Sequence, residues 1–216
     1  MLVKVCGMTD RNNIQEVIRL QPDLMGFIFY PPSPRDVSGR IGQLGIEEIP
    51  PGILTVAVMV DPSLQEVRAL SAQNGFRAVQ LHGEEHPALC LELRQDLTVI
   101  KSFAVDESLP GKLGEYEGSC DFFLFDTASR KKGGSGRRFD HSLLKDYAGE
   151  TPFFIAGGIC PSDAGELAAL PYEKFCGADL NSCFEKRPGI KDPELLRVFF
   201  RELRPGGQDG PKANAQ

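Results

Sequence analysis

Tryptophan is absent from this 216-residue chain and histidine occurs only at 82, 86 and 141, so fourteen phenylalanines supply most of the aromatic bulk. None of the six cysteines (6, 90, 120, 160, 176 and 183) forms a C-x-x-C pair. Without close-paired ligands, a structural zinc site is not expected. No apolar run approaches the ~18 residues that cross a bilayer. The opening MLVKVCG lacks both the basic lead and the longer apolar core of an export signal, so a cytoplasmic protein with free, mostly buried thiols is expected. Net charge is −6, and no basic block is long enough to track a phosphate backbone or a membrane surface. Neither nucleic acid nor membrane is expected as a partner.

What is present is an alternation. Eight short apolar runs recur, at 2–6, 24–29, 54–60, 77–81, 98–104, 121–126, 152–157 and 174–180. Between most of them lie segments with helical spacing and start signals. Asp61-Pro62-Ser63 offers a capping carboxylate before a proline, and Ser63 with Glu66 fits a capping box. Pro161 and Pro193 open two further helices. The stretch 36–50, with four glycines or prolines, has the poorest helical pattern. Strands apolar on both faces and alternating with helices imply parallel pairing with right-handed crossovers. Eight such units in about 200 residues predict a single-domain (β/α)8 barrel over 1–203. An open doubly wound sheet competes, but no G-x-G-x-x-G follows the first run. The tail RPGGQDGPKANAQ (204–216) has the composition of a disordered segment.

In such a barrel the chemistry sits at the carboxyl ends of the strands. Reading those ends gives Cys6, Arg35, His82, Asp126, Gly157-Gly158 and Asn181-Ser182. Side chains two apart on a strand share a face, which puts Lys4 one layer below Cys6 with Asp179 as its expected partner. Cys6 is either a small core hydrophobe or a reactive thiol. Asp126, ending the apolar run FFLF, is either a loop-opening acid or a general acid of raised pKa. His82 is a structural histidine or a substrate contact, and Arg35 a solvated charge or a bidentate carboxylate clamp. RKKGGSGRRFD (130–140) is a flexible loop, a lid over an anionic ligand, or both. Gly157-Gly158 ahead of the Pro161 helix suits a phosphate, with Asn181 and Ser182 completing the site.

Seven segments in order, VKVCGMT, GFIFYPPSPR, VQLHGEE, LFDT, GGSGRRFD, IAGG and PGIKD, together resemble the phosphoribosylanthranilate isomerases of tryptophan biosynthesis over nearly the whole barrel. The resemblance implies an Amadori rearrangement of a phosphosugar, without metal or cofactor; a monomer or homodimer is expected. It implies Cys6 as general base, Asp126 as general acid and Arg35 as the group holding the anthranilate carboxylate; a thiolate base near neutral pH calls for a lowered pKa, which the Lys4 charge or a helix N-terminus is expected to give. Three positions depart from the pattern. DLNSCFE stands where DVSSG is common, placing Cys183 at a usual glycine; Asp61 replaces a frequent asparagine and is read as a helix cap; FDH replaces FDW, leaving His141 without a role. A histidine-pathway isomerase would use two aspartates, so Cys6 argues against it. A pentulose-phosphate epimerase would need more histidine for its metal. A barrel that only binds a phosphorylated ligand is the non-enzymatic alternative, whose sign would be loss of Cys6 or Asp126.

Overall fold

A computed structural model describes residues 1–127 and 139–204. Eight parallel strands close into a barrel in sequence order: β1 (Leu2–Cys6), β2 (Leu24–Phe29), β3 (Leu54–Met59), β4 (Ala78–Leu81), β5 (Thr98–Val105), β6 (Phe122–Thr127), β7 (Phe153–Ile155) and β8 (Phe175–Leu180). Each lies within two residues of an apolar run in the sequence. Closure comes from β1 pairing with β8, with Lys4 opposite Asp179.

The outer layer is thinner than eight helices. Among the described residues there are five α-helices: α1 (Arg11–Ile18), α2 (Leu64–Asn74), α3 (Pro87–Leu93), α4 (Ala164–Ala168) and α5 (Pro193–Leu203). Short 3-10 turns take the remaining places after β2, β5 and β6. In 36–50 the glycines break the chain into two single turns, Ile41–Gln43 and Ile46–Glu48. Ser63 caps α2 with a full capping box through Glu66. Asp61 is therefore not the cap; it adopts a left-handed φ of 48° and its carboxylate accepts the Glu84 N–H.

Alternation along the strands sorts two apolar cores. Val3 and Val5 face the helices, while Cys6, Leu24, Val56, Val58, Ala78, Ile100, Leu124 and Phe154 fill the barrel interior. The interior is thus packed, and its carboxyl end opens into a cavity. At the other end Arg204 bonds to Met1 O and pairs with Asp23, tying the last helix to the first strand. The rest of the expected tail (205–216) and most of the expected lid (130–138 of 130–140) lie outside the described residues.

Candidate active site

All eight residues named from strand ends line one cavity of about 530 Å³ at the carboxyl end of the barrel. A second cleft, of about 640 Å³, lies beside Thr55 and Arg77 at the amino ends of β3 and β4 and shares none of them.

Cys6 ends β1 facing inward, only 4% exposed. Lys4 is fully buried one layer below, its Nζ donating to Asp179 Oδ1 and Oδ2 at 3.0 and 2.9 Å. Gly26, across from Cys6 on β2, explains how thiol and ammonium fit together. A Cβ there would lie 2.8 Å from Cys6 Sγ and 3.2 Å from Lys4 Nζ. The expected lowering of the thiol pKa is not what the environment gives. Burial pushes Cys6 up, and the attraction of Lys4 offsets this only in part, with the Asp179 carboxylate adding to the rise. The resting group is a thiol.

Asp126 stands near the end of β6, with about a third of its side chain open to the cavity. The apolar strand beneath it removes most of the bulk water, and this desolvation raises its pKa to about 6, with the Asp179 charge reinforcing the shift. Its carboxylate lies against Gly157, where a Cβ would come within 2.6 Å of Asp126 Oδ1 and of Thr127 N. The φ of 83° at Gly157 is a second reason for glycine there. His82 Nε2 is 3.6 Å from Asp126 Oδ2, and its Nδ1 is 3.2 Å from Gln80 Nε2, which also donates to Ser102 Oγ at 3.1 Å. A Gln80 donor at Nδ1 selects the tautomer with its proton on Nε2, toward Asp126.

Arg35 is no solvated charge. It is 8% exposed, with Nε and Nη2 donating to Glu185 Oε1 and Oε2 at 2.9 and 2.6 Å. Gly157 and Gly158 both have positive φ, and the short helix expected from Pro161 opens there as a 3-10 turn, Pro161–Asp163, that leads into the five-residue α4. Any anion there meets loop backbone rather than a long helix end. Asn181 Oδ1 accepts from Lys191 Nζ at 2.7 Å. Cys160 and Cys183 are not free thiols: they form a disulfide, Cα atoms 5.1 Å apart, that joins the loops after β7 and β8. The residue at the usual glycine thus has its partner one loop away.

Sequence reasoning missed Glu185 and Lys191, which lie near the mouth but behind its lining. PGIKD carried the resemblance to one of them without suggesting a task for it. Asp61, taken for a cap, lines the cavity as well.

The barrel and the contents of its mouth agree with the comparisons. The family model described as N-(5'-phosphoribosyl)anthranilate (PRA) isomerase matches residues 3–202. The N-(5'-phosphoribosyl)anthranilate isomerase of Phocaeicola vulgatus is 39% identical over 206 residues, covering 94% of this chain and 98% of the relative. That of Parabacteroides distasonis is 39% identical over 209 residues, with 94% and 93% covered. Among solved structures, the phosphoribosyl anthranilate isomerase of Thermus thermophilus superposes with a TM-score of 0.82 at 29% identity, covering 94% of this chain and 98% of that one. Another phosphoribosyl anthranilate isomerase, solved with reduced 1-(o-carboxyphenylamino)-1-deoxyribulose 5-phosphate, gives 0.78 at 27% identity, with 94% and 98% covered. A match running from the first strand to the last helix leaves one conclusion: the chain belongs to the N-(5'-phosphoribosyl)anthranilate isomerase family.

Proposed function

We propose that Cys6 and Asp126 carry out the Amadori rearrangement of N-(5-phosphoribosyl)anthranilate to 1-(2-carboxyphenylamino)-1-deoxyribulose 5-phosphate, the tryptophan-pathway step for which the family is named. The observation that carries this reading is the opening of a buried thiol and a carboxyl of raised pKa into one cavity that also holds Arg35.

The furanose ring opens first. Asp126, as the neutral acid, gives its proton to the ring oxygen while the C1–O bond breaks and the anilino nitrogen lone pair forms an iminium. That cation acidifies the C2 proton, which the Cys6 thiolate removes. The electron pair from the C2–H bond neutralises the iminium, and the enolamine then tautomerises to the ketone. Asp126 ends the first step ionised and Cys6 ends the second protonated; in the tautomerisation the enol gives up its O–H proton and C1 takes one up, and transfer of one proton from Cys6 to Asp126 restores the starting pair. Burial disfavours the thiolate before substrate charge develops beside it. The iminium beside it, together with Lys4, supplies the positive charge that favours it when it is needed.

Arg35 holds the anthranilate carboxylate, and His82 bears on Asp126 and the opening sugar. Gly157, Gly158, Asn181 and Ser182 receive the phosphate through the loops after β7 and β8. The partner is a small phosphosugar, and the cytoplasm is the compartment we propose for the reaction. No helix among the described residues is long and apolar enough to cross a membrane.

The test is loss of anthranilate-type fluorescence with substrate generated in situ. Wild type should quench the signal, and folded Cys6→Ser and Asp126→Asn should not. Turnover persisting in either variant removes its assigned role, and none with folded wild type removes the reaction and leaves a binding barrel.

A further inference from the structure

After β8 the chain forms a small hairpin, β9 (Glu185–Arg187) with β10 (Ile190–Lys191), turned by Pro188-Gly189. It delivers two charged side chains to the rim of the cavity, and both are buried, at 4% exposure for Glu185 and 0% for Lys191. Glu185 Oε1 accepts from Arg35 Nε, from Lys191 Nζ at 2.7 Å and from Gly189 N at 3.1 Å, while Oε2 accepts from Arg35 Nη2. Lys191 is fixed in turn: Asn13 Oδ1 accepts its N–H at 2.7 Å and Asn13 Nδ2 donates to its carbonyl at 2.9 Å. Arg35 and Asn181 line the cavity, and Glu185 and Lys191 stand behind them.

We propose that Glu185, held by Lys191, is a positioning residue that orients the Arg35 guanidinium for an end-on, two-point hold on the aryl carboxylate of the substrate. The inference rests on the reading of Arg35 as the carboxylate clamp. A guanidinium has five N–H donors in a plane. Glu185 takes Nε–H and one Nη2–H, leaving both Nη1–H groups and one Nη2–H. The Nη1/Nη2 edge is therefore the free fork, and a carboxylate fits it bidentately. Arg35, Glu185 and Lys191 sum to one positive charge, which a substrate carboxylate neutralises. The guanidinium is ordered when the chain folds, so binding does not have to order it.

The same network touches the base. A Cβ at Gly7, whose φ is 78°, would lie 2.6 Å from Arg35 Cδ and 3.0 Å from Asn181 Oδ1. The backbone just after Cys6 is thus packed against the clamp, so the clamp's orientation registers the substrate relative to the thiol.

The experiment compares two probes: reduced 1-(2-carboxyphenylamino)-1-deoxyribulose 5-phosphate, and its counterpart made from aniline, which lacks the carboxylate. Binding of both is measured by calorimetry on wild type, Glu185→Gln, Glu185→Asp and Arg35→Met, with KM and kcat for the natural substrate and circular dichroism for folding. Glu185→Gln is expected to weaken the carboxylate probe about tenfold or more, to leave the aniline probe unchanged, and to raise KM more than it lowers kcat. Glu185→Asp, which keeps the charge on a shorter stem, should show the same selective loss to a smaller extent, and it carries the test alone if the glutamine variant does not fold. Equal weakening of both probes, or of neither, overturns the positioning role. If Arg35→Met keeps the wild-type preference for the carboxylate, the clamp reading itself fails, and the inference fails with it.

Discussion

Lys4 Nζ sits within 3.0 Å of both carboxylate oxygens of Asp179, at matching register positions across the strand pair that closes the barrel. Burial alone would pull the ammonium pKa down, yet the facing carboxylate more than offsets this and keeps it raised. Burial pushes the Asp179 carboxyl up and Lys4 offsets that only in part, but the two contacts at 3.0 and 2.9 Å have the geometry of an ion pair, and neither partner is dispensable alone. Lys4→Met should leave an uncompensated buried carboxylate and cost about 3–5 kcal/mol of folding stability. Urea unfolding at neutral pH measures this. A Lys4→Met/Asp179→Leu double variant should recover most of the loss, and stability of the single variant equal to wild type would mean that Asp179 is not charged.

The acid and the base are protonated in an unusual order. Asp126 titrates near pH 6 and Cys6 above the ordinary thiol range, so the working form, acid protonated and base ionised, is a minority at every pH in the free enzyme. Its population is flat between the two pKa values and falls on either side. The profile of kcat/KM should therefore show an acid limb near pH 6 that belongs to Asp126 and an alkaline limb that belongs to Cys6, the reverse of the simplest assignment. Direct titration of Asp126 by infrared difference spectroscopy, and of the thiol by its absorbance on ionisation, checks each limb. An Asp126 carboxyl that titrates at the ordinary 3.8 would refute the assignment.

The same shift has a consequence for folding. The native state holds the Asp126 proton up to about pH 6, whereas the unfolded chain releases it near 3.8. The stabilisation from this group is complete below the lower value and is lost as pH rises through the higher one. Asp126→Asn, neutral throughout, should gain stability relative to wild type between pH 4 and pH 7. Paired thermal unfolding at the two pH values reads the difference, and a gap independent of pH would contradict it.

How much of this was written in the sequence depends on the range of the interactions. Strand ends were legible because apolar runs stop where the barrel does, so Cys6 and Asp126 fell at the mouth by position alone. The Lys4–Asp179 pair followed from period-two alternation plus closure of the eighth strand on the first. What stayed hidden depended on distances that no local pattern encodes. The sign of the Cys6 shift is a balance of burial and the Asp179 charge against the Lys4 and Lys191 charges, and burial wins. Asp61 looked like a cap because Asp-Pro-Ser is a capping pattern, but Ser63 already fills that role, and Glu85 accepts the Asp61 N–H. Glu185 finds Arg35 across 150 residues, and nothing near either residue announces the other.

Gly26 offers a test of the packing beneath the catalytic thiol. A Cβ at this position would press on Cys6 Sγ, Cys6 Cα and Lys4 Nζ together, at 2.8, 3.3 and 3.2 Å, and two of these atoms belong to the proposed base. Sulfur must shift toward the cavity or β1 must move. Gly26→Ala should then fold, because the intrusion is a single methyl, and lose on the order of 10²-fold in kcat through misplacement of the base. Substrate binding through Arg35 and the phosphate loops should change much less. Steady-state kinetics with a circular dichroism control measures both, and unaltered kcat would show that the thiol has more room than the packing implies.

The two loops expected to hold the phosphate are covalently joined, and this can be counted. Cys6, Cys90, Cys120 and Cys176 are free, and Cys160 is bonded to Cys183. Denatured without reductant, the chain should take up four iodoacetamide groups by mass; after reduction it should take up six, one for each cysteine in the sequence. Because Cys160 and Cys183 sit beside Gly158 and Ser182, reduction should loosen the loops against one another and weaken binding of a phosphorylated ligand while sparing the barrel. The readouts are the affinity of the reduced product analogue with and without reductant, and the melting temperature. Six groups before reduction would show that the bond is not formed. Four, with affinity indifferent to reductant, would show that the bond does not govern the phosphate loops.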